Sequence, residues 1–301
     1  MNWFFIALIA PVLWAITNHI DKHLINKYFK GGGVGALLIF SSLIGIFVLP
    51  LILIIQPNVF SIEPLLALLI TFNGFLYVLG LLPYYYALRD DEASVVVPLF
   101  QTIPVFSYIL AFIVLGETLT SIQIIASLLI IIGAILLSLD LNKKKLKKKV
   151  FWLMLLASFS VALNGLIFKF VAIKGDFWTT SFWEYIGFAI LSIILLIFIN
   201  PYRKQFLSAL KLNRIPVLSW NTANEIFNIT AKMVMNFATL LAPLALVWMV
   251  NSFQPFFVLI FGVILTLFFP YLGKETLVKK HLIQKIVAIA IMFTGVYILN
   301  I

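Results

Sequence analysis

The segment Trp220–Asn236 reads Trp-Asn-Thr-Ala-Asn-Glu-Ile-Phe-Asn-Ile-Thr-Ala-Lys-Met-Val-Met-Asn and places polar residues inside a strongly apolar chain. Its polar side chains recur every three or four positions and form one face of a helix: Asn221, Asn224, Glu225, Asn228 and Lys232. Ionisable groups are costly inside a bilayer, so this face must turn towards a protein interior or a water-filled cavity. The alternatives are a helix lying on the membrane surface and polar groups that only bond neighbouring helices. We favour a cavity lining, because five such groups exceed what helix packing usually uses.

The composition is that of an integral membrane protein. Of the 301 residues, 63 % are hydrophobic and only 11 % are charged, whereas soluble domains carry about 25 % charged residues. The charge-free segment Met233–Gly273 is long enough for two membrane-crossing helices, since about 20 apolar residues span a bilayer core. The chain has no cysteine, which excludes disulfides and thiolate sites, and we expect no cofactor.

Apolar runs separated by turn residues predict an all-α polytopic membrane protein with ten transmembrane helices, because the bilayer core offers no water to an open backbone. No basic residue precedes the apolar run Met1–Ala10, so we expect it to begin the first helix rather than a cleavable signal. The predicted spans are Asn2–Ile20, Gly33–Ile55, Pro64–Ala87, Ala93–Leu115, Thr120–Leu139, Phe151–Ile173, Phe177–Ile199, Ile215–Leu241, Leu244–Pro270 and Leu282–Leu299.

The two halves of the chain repeat each other. Matching anchors occur in the same order in both halves: Ala87 with Ala238, Pro104 with Pro255, Ala126 with Ala288, and Gly133 with Gly295. The two glycines, each seven residues after an alanine, suggest close helix packing. Because a unit of five helices has an odd number of crossings, its second copy must be inverted in the membrane relative to the first. Inverted repeats are typical of alternating-access transporters. We predict a first unit at 1–140, a lysine-rich connection at 141–149 and a second unit at 150–301.

Lysine and arginine orient the chain. Even-numbered connections between the predicted spans carry only Lys174, and odd-numbered connections carry the other loop cations: Lys22, Lys27, Lys30, Arg89, the six lysines of 143–149, Arg203, Lys204, Lys211, Arg214, Lys274, Lys279 and Lys280. By the positive-inside rule, we expect a plasma-membrane protein with odd connections in the cytoplasm and both termini outside. The net charge of +10 then reflects topology and contact with anionic lipids, and we expect no nucleic-acid partner.

Four charged residues lie within the sixth, seventh and eighth predicted spans. Glu225 and Glu184 are candidates for ion coupling, and Lys232 and Lys169 are candidates for substrate binding. Two acids and two bases can form two neutral couples, which lowers the cost of burying each charge. Glu225 and Lys232 lie about 10 Å apart along one helix, so they do not contact each other. The alternatives are a headgroup-level position for Glu184 and snorkelling of Lys169 to the interface.

Two prolines occupy matching positions inside predicted spans. Pro104 and Pro255 each free a backbone carbonyl and bend a helix, so we interpret them as hinges that face the cavity. Simple helix shaping is the alternative. The remaining lining candidates are amides close to these prolines and aromatic residues away from span ends: Gln101, Asn251, Gln254, Tyr77 and Trp248.

The acidic turn Asp90-Asp91-Glu92 invites a metal or diphosphate interpretation. It lies beside Arg89 and has no second acidic cluster, so a solvated turn explains it better. The histidines lack zinc-ligand spacing, and the sequence contains no phosphate-binding lysine loop of an ATPase.

The block Ala87–Gly133 combines an alanine, a short turn, Ala-Ser at 93–94, the mid-helix Pro104, Gly-Glu-Thr-Leu at 116–119 and a glycine-bearing helix. Gly-Lys-Glu-Thr-Leu at 273–277 repeats part of this order. In the first half Lys22 follows Trp14, and Lys169 occupies the place where the second half would repeat that lysine. These features resemble the EamA-like permeases of the drug/metabolite transporter superfamily. The resemblance implies a ten-helix basket whose cavity is walled by helices 1, 3, 4, 6, 8 and 9, with helices 5 and 10 behind. Such relatives usually keep both ends in the cytoplasm, so the orientation predicted above departs from the family.

The resemblance and the polar face together predict a secondary transporter of small metabolites such as amino acids or drugs, with proton or exchange coupling. We expect it to be no enzyme and to act as a monomer or homodimer among membrane lipids. A flippase for lipids or lipid-linked substrates is the nearest alternative, because the cavity could open sideways. An intramembrane enzyme acting on lipid carriers would need acid/base or metal-binding residues that converge on one site. A membrane scaffold protein that transports nothing would not explain the polar face.

Overall fold

The computed structural model describes residues 2–28, 33–90, 96–138, 148–268 and 279–299, and the regular structure in these ranges is helical throughout. The α-helices are α1 (Asn2–Lys27), α2 (Val34–Ile55), α3 (Pro64–Asp90), α4 (Ile103–Leu115), α5 (Ser121–Ser138), α6 (Lys148–Lys174), α7 (Phe177–Phe198), α8 (Asn200–Leu241), α9 (Leu244–Val250), α10 (Gln254–Phe268) and α11 (Lys279–Leu299). Short 3₁₀ segments at Val59–Ser61, Val97–Thr102 and Asn251–Phe253 precede α3, α4 and α10.

Six helical segments of the described ranges are long and apolar enough to cross a bilayer: α1, α2, α3, α6, α7 and the combined α9–α10 segment. Shorter apolar helical stretches lie at Leu99–Leu115, Ser121–Leu136 and Ile286–Ile298. Each predicted span is helical over most of its described length. The all-helical class is confirmed, while the number of helices that cross the membrane stays a prediction.

The polar segment of the sequence lies in α8, which changes direction partway along. The backbone of Asn213 (φ −144°, ψ 50°) interrupts the helix. Before this break, the helix packs on α2: the Gln205 side chain accepts a hydrogen bond of 2.9 Å from the Gly35 N–H, and the rings of Phe206 and Phe40 lie 4.9 Å apart. The basic connection before the eighth predicted span is therefore itself a helix, which the sequence analysis did not predict.

Helices from both halves of the chain surround the centre. α1 packs along α8, α3 packs along α6 and α7, and α4 contacts α6 and α9. α5 instead packs mainly on α11, and both of these helices expose apolar side chains on their other faces. This separation of α5 and α11 from the other helices agrees with the arrangement that the resemblance implies.

The α5–α11 contact depends on two glycines. A Cβ added to Gly133 would lie 2.8 Å from the carbonyl oxygen of Ala288, and one added to Gly295 would lie 2.9 Å from that of Ala126. No side chain fits at such distances, so glycine sets the close approach of these helices. The predicted close packing is confirmed, and each glycine meets the alanine that the repeat assigns to the opposite half.

Candidate functional site

A cavity lies between α1, α3, α6 and α8 and beside the two junctions where a 3₁₀ segment passes into α4 or α10. It is lined by Trp14, Thr17, Asn18, Asp21, Tyr77, Leu81, Tyr84, Tyr85, Phe100, Ile103, Val161, Asn224, Asn228, Trp248, Asn251 and Gln254. About 70 Å³ is open to the centre of a water-sized sphere, and one water needs about 10–15 Å³ by this measure. In this conformation the cavity therefore fits several waters or a small molecule, and it is too small for a drug-sized ligand.

Several polar atoms on the cavity wall have no hydrogen-bond partner among the described residues. They are Asn18 Nδ2, Asn224 Oδ1, Trp248 Nε1 and Asn251 Oδ1. Buried polar groups nearly always have partners, and leaving one unsatisfied costs about 1–3 kcal/mol. Unsatisfied donors and acceptors on residues that line a cavity favour the binding of a ligand or water there.

The polar face of α8 meets a polar face of α1. Trp14, Asn18 and Asp21 are spaced by four and three residues, so they share one side of α1. The Trp14 Nε1–H donates to Asn228 Oδ1 (3.1 Å), and Asn224 Nδ2 donates to Asp21 Oδ1 (2.7 Å). The contact between α1 and α8 thus consists of hydrogen bonds as well as apolar packing.

Asp21 is a buried carboxylate that the sequence analysis missed. It is 4 % exposed, and no lysine, arginine or histidine of the described residues pairs with it. The Tyr84 hydroxyl lies 3.3 Å from Asp21 Oδ2 and 3.0 Å from Asn18 Oδ1, so its single proton is shared between them. The miss arose because the first span was ended at Ile20, whereas α1 continues to Lys27. The spacing of Trp14, Asn18 and Asp21 was the signal that could have found it.

Glu225 lies behind the cavity wall rather than on it. It is 3 % exposed, and its carboxylate accepts hydrogen bonds from Ser41 Oγ (2.7 Å) and Asn228 Nδ2 (3.2 Å). The Tyr85 hydroxyl lies 3.0 Å from Ser41 Oγ and extends this chain of hydrogen bonds to the cavity. Among the described residues, no cation pairs with Glu225 either.

Glu184 and Lys232 form a buried ion pair. Lys232 Nζ lies 3.0 Å from Glu184 Oε2 and 4.3 Å from the centre of the Tyr77 ring. Asn73 and Asn164 each donate to Glu184 Oε1, at 3.0 and 2.9 Å. Glu184 is only 1 % exposed, so protein groups surround its carboxylate. This pair is one of the neutral couples that the sequence allowed, while the two asparagines that complete it were missed.

Lys169 is also paired, at a different place. It forms an ion pair with Glu117 and donates to the carbonyl oxygen of Ala242 at 2.8 Å. Glu117 in turn accepts a hydrogen bond of 2.7 Å from the N–H of Leu244. The Gly-Glu-Thr-Leu motif is thereby joined to α6 and to the start of α9, and the Lys169 side chain is buried among protein groups. The matching motif at 273–277 lies outside the described residues.

The predicted substrate ligands divide into two groups. Those that line the cavity are Asn224, Asn228, Asn251, Gln254, Tyr77 and Trp248. Those that lie elsewhere are Asn221, Gln101, Glu225, Lys232 and Lys169. Asn221 donates to Val217 O within its own helix at 2.7 Å, and Gln101 is buried in the 3₁₀ segment before α4. One face of α8 therefore serves two purposes, since part of it lines the cavity and part bonds other helices.

The two predicted hinge prolines occupy equivalent junctions. Pro104 is in the first turn of α4, directly after the 3₁₀ segment Val97–Thr102. Pro255 is in the first turn of α10, directly after the 3₁₀ segment Asn251–Phe253. Proline suits the first turn of a helix, where its missing N–H is not needed. Residues beside both prolines line the cavity, so the junctions lie next to it.

Of the acidic turn, the structure describes only Asp90. Asp90 pairs with Arg89 at 3.1 Å and with Lys149 at 2.6 Å, at the protein surface. Asp91 and Glu92 lie outside the described residues. No group of three or more histidine or acidic side chains in the described ranges is arranged to hold a metal ion.

Comparisons with known proteins agree with this architecture. The model of the EamA-like transporter family matches residues 1–139. An uncharacterized protein of Methanocaldococcus jannaschii is 38 % identical over 99 residues, which make up 33 % of this chain and 72 % of that protein. One protein of known crystal structure aligns over 99 % of this chain and 96 % of its own, with a TM-score of 0.61 and 14 % identity. At that identity the likeness concerns the fold alone.

Proposed function

This chain belongs to the EamA-like transporter family, and from that premise we propose that it moves small metabolites across the plasma membrane by alternating access. Family membership makes it a multi-pass membrane transporter of the drug/metabolite type. The central cavity is the observation that carries the finer proposal. Its wall combines helices of both halves with buried polar atoms that have no protein partner among the described residues.

Two five-helix units, at 1–140 and 150–301, would be the moving parts, joined by the connection at 141–149. The matched sequence anchors support this division, and so does the reciprocal contact of Gly133 with Ala288 and of Gly295 with Ala126. Inverted units that rock around a fixed site are the usual basis of alternating access. The junctions at Pro104 and Pro255 are suited as hinges, because 3₁₀ geometry is less regular than the α-helix that follows.

Glu225 is the carboxylate best placed for ion coupling. It is buried without a cation among the described residues, and a proton or a bound cation would remove the cost of its charge. The charge of Glu184, by contrast, is already neutralised by Lys232. We therefore assign ion coupling to Glu225 alone and give the Glu184–Lys232 pair a role in holding α7 and α8 together.

The binding experiment uses the full chain, purified in detergent, and thermal unfolding against amino acids, nucleosides, sugars and lipid headgroups. A ligand at a hundred times its dissociation constant stabilises by about 2.7 kcal/mol. We expect a soluble metabolite to raise the unfolding temperature of the wild type and to lose this effect in Asn224→Leu, which removes polar atoms from the wall. The exposed Asn58→Leu is the matched control. Stabilisation by lipid headgroups alone would replace this proposal with a flippase.

A further inference from the structure

With every acidic side chain counted as ionised, two carboxylates near the cavity have no cation partner among the described residues. Both buried lysines, Lys169 and Lys232, already form ion pairs with glutamates. Asp21 and Glu225 are buried, and no lysine, arginine or histidine nitrogen of the described residues lies within 4 Å of either carboxylate. Among the described residues, the cavity lining contains no lysine, arginine or histidine. A ligand that supplies positive charge would offset the cost of burying these carboxylates.

Asp21 is the carboxylate that lies on the cavity wall. Asn224 Nδ2 donates to one of its oxygens and the Tyr84 hydroxyl lies near the other, which leaves lone pairs on both for a further donor. Next to it, Asn224 Oδ1 is an acceptor without a partner among the described residues, although the residue is only 2 % exposed. Asn251 Oδ1 adds a second such acceptor to the wall. Acceptors on residues that share a cavity with a carboxylate match an ammonium group, which has N–H donors and no acceptor.

Aromatic rings form much of the remaining wall. Trp14 and Trp248 stack with ring centres 5.9 Å apart, and the rings of Tyr84 and Phe100 lie 5.4 Å apart. Aromatic faces attract organic cations and also pack against an apolar body. A bare metal ion such as Ca²⁺ instead takes about six or more oxygen ligands, which a wall of rings and a few amides does not supply.

We infer that the substrate of this cavity is a small organic amine in its protonated form. Its ammonium group binds Asp21 and the neighbouring asparagine oxygens, and its apolar body lies against Trp14 and Trp248. This inference rests on the proposed function, since it names the chemical class that the transporter carries. A zwitterionic amino acid fits less well, because the described part of the lining offers no cation for its carboxylate.

Two matched ligand series test the inference on the purified full chain. The first is phenethylammonium, phenylalanine and 3-phenylpropionate, and the second is butylammonium, norvaline and pentanoate, all at one pH and ionic strength. Within each series the apolar body is constant and only the charged groups change. Thermal unfolding and isothermal titration calorimetry measure binding to the wild type, to Asp21→Asn and to Glu63→Gln, an exposed carboxylate that serves as control.

We expect each ammonium ligand to raise the unfolding temperature of the wild type more than the zwitterion or the anion with the same body. Asp21→Asn should weaken ammonium binding by about tenfold or more, because it removes the charge of the acceptor, while Glu63→Gln should leave it unchanged. Equal or stronger binding of the zwitterions or anions overturns the inference. So does an Asp21-dependent effect of NaCl alone, which would indicate an inorganic cation site.

The ligand comparison on the wild type does not depend on any variant, so a failure of Asp21→Asn to fold does not remove the test. Binding of the anions or zwitterions would overturn the amine inference and leave the transporter proposal standing. No binding in either series would also overturn the amine inference, and the transporter proposal would then be decided by the accessibility of the cavity from the two sides of the membrane.

Discussion

At the scale of single residues, the buried carboxylates have two different surroundings. Glu184 is held by Lys232 and by the amides of Asn73 and Asn164, so its charge is compensated within the protein. Asp21 and Glu225 receive hydrogen bonds but no cation from the described residues. Compensated charges stabilise a particular arrangement of helices, whereas uncompensated ones respond to what enters from outside.

Removal of Lys232 should therefore destabilise the protein strongly. Lys232→Met leaves Glu184 buried without a cation, which costs about 3–5 kcal/mol when one partner of a buried pair is lost. The measurement is the free energy of unfolding in mixed detergent. The double variant Glu184→Gln/Lys232→Met removes both charges and should recover most of the loss. An unchanged stability of the single variant would show that the pair does not hold the helices.

Glu225→Gln should abolish the pH dependence of transport and leave the fold intact. The amide keeps the shape of the side chain: its oxygen can accept from Asn228 Nδ2 and its NH2 group can donate to Ser41 Oγ, but it takes up no proton. Substrate flux into proteoliposomes is measured between pH 5 and 8, with Glu63→Gln as the control. If the variant keeps the pH profile of the wild type, Glu225 has no part in coupling.

At the scale of helices, the recurrence of polar residues every three or four positions was sufficient to identify the polar face of α8. It did not show which residues of other helices that face contacts. The sequence placed Asn224, Asn228 and Lys232 on one face, and the structure divides that face between the cavity and the ion pair. Spacing along one helix fixes which residues share a side, while the partner depends on which helix packs there. The polar face of α1 was missed because Asp21 stood beyond the predicted end of its span.

Glycine at the crossing of α3 and α7 should be irreplaceable. A Cβ on Gly187 would overlap the carbonyl oxygen of Thr71, and one on Gly74 would overlap that of Glu184. Gly187→Ala must push the helices apart and disturb the neighbouring Glu184–Lys232 pair. We expect a loss of about 1–3 kcal/mol in unfolding free energy, the usual cost of overpacking.

Gly175→Ala is the matched control for this crossing, because its Cβ would lie 3.7 Å from Val171 O, an ordinary contact distance. Its unfolding free energy should stay close to that of the wild type. Equal effects of the two substitutions would mean that the α3–α7 crossing tolerates a wider spacing.

At the scale of the whole molecule, the sequence was sufficient for the all-helical class of fold, while the inverted repeat of the two halves stays a prediction. Apolar runs predict helices in a bilayer with few alternatives, and Gly133 and Gly295 correctly indicated close helix packing. The positions of the charged pairs could not be predicted, since Lys169 is 52 residues from Glu117 in sequence and meets it only through the packing of α6. Orientation in the membrane still rests on the distribution of lysine and arginine.

That orientation gives a direct prediction, and the absence of cysteine from the chain makes it simple to measure. Asn58 lies in an exposed connection that is predicted to be outside the cell, and Lys204 lies in an exposed basic helical segment that is predicted to be in the cytoplasm. Each is replaced by cysteine in a separate variant. A membrane-impermeant maleimide should label the first in intact cells and the second only after permeabilisation. The reverse pattern would give the chain the usual orientation of its family.

The most direct test of alternating access uses a single cysteine in the cavity. Val161→Cys is close to isosteric, and Val161 lines the cavity on α6, whereas Val78 on α3 is buried away from it. A small impermeant thiol reagent is applied to membrane vesicles of each orientation that carry one of these variants. We expect Val161→Cys to react from both sides of the membrane and Val78→Cys from neither. Reaction of Val161→Cys from one side only, or from neither, would contradict transport through this cavity.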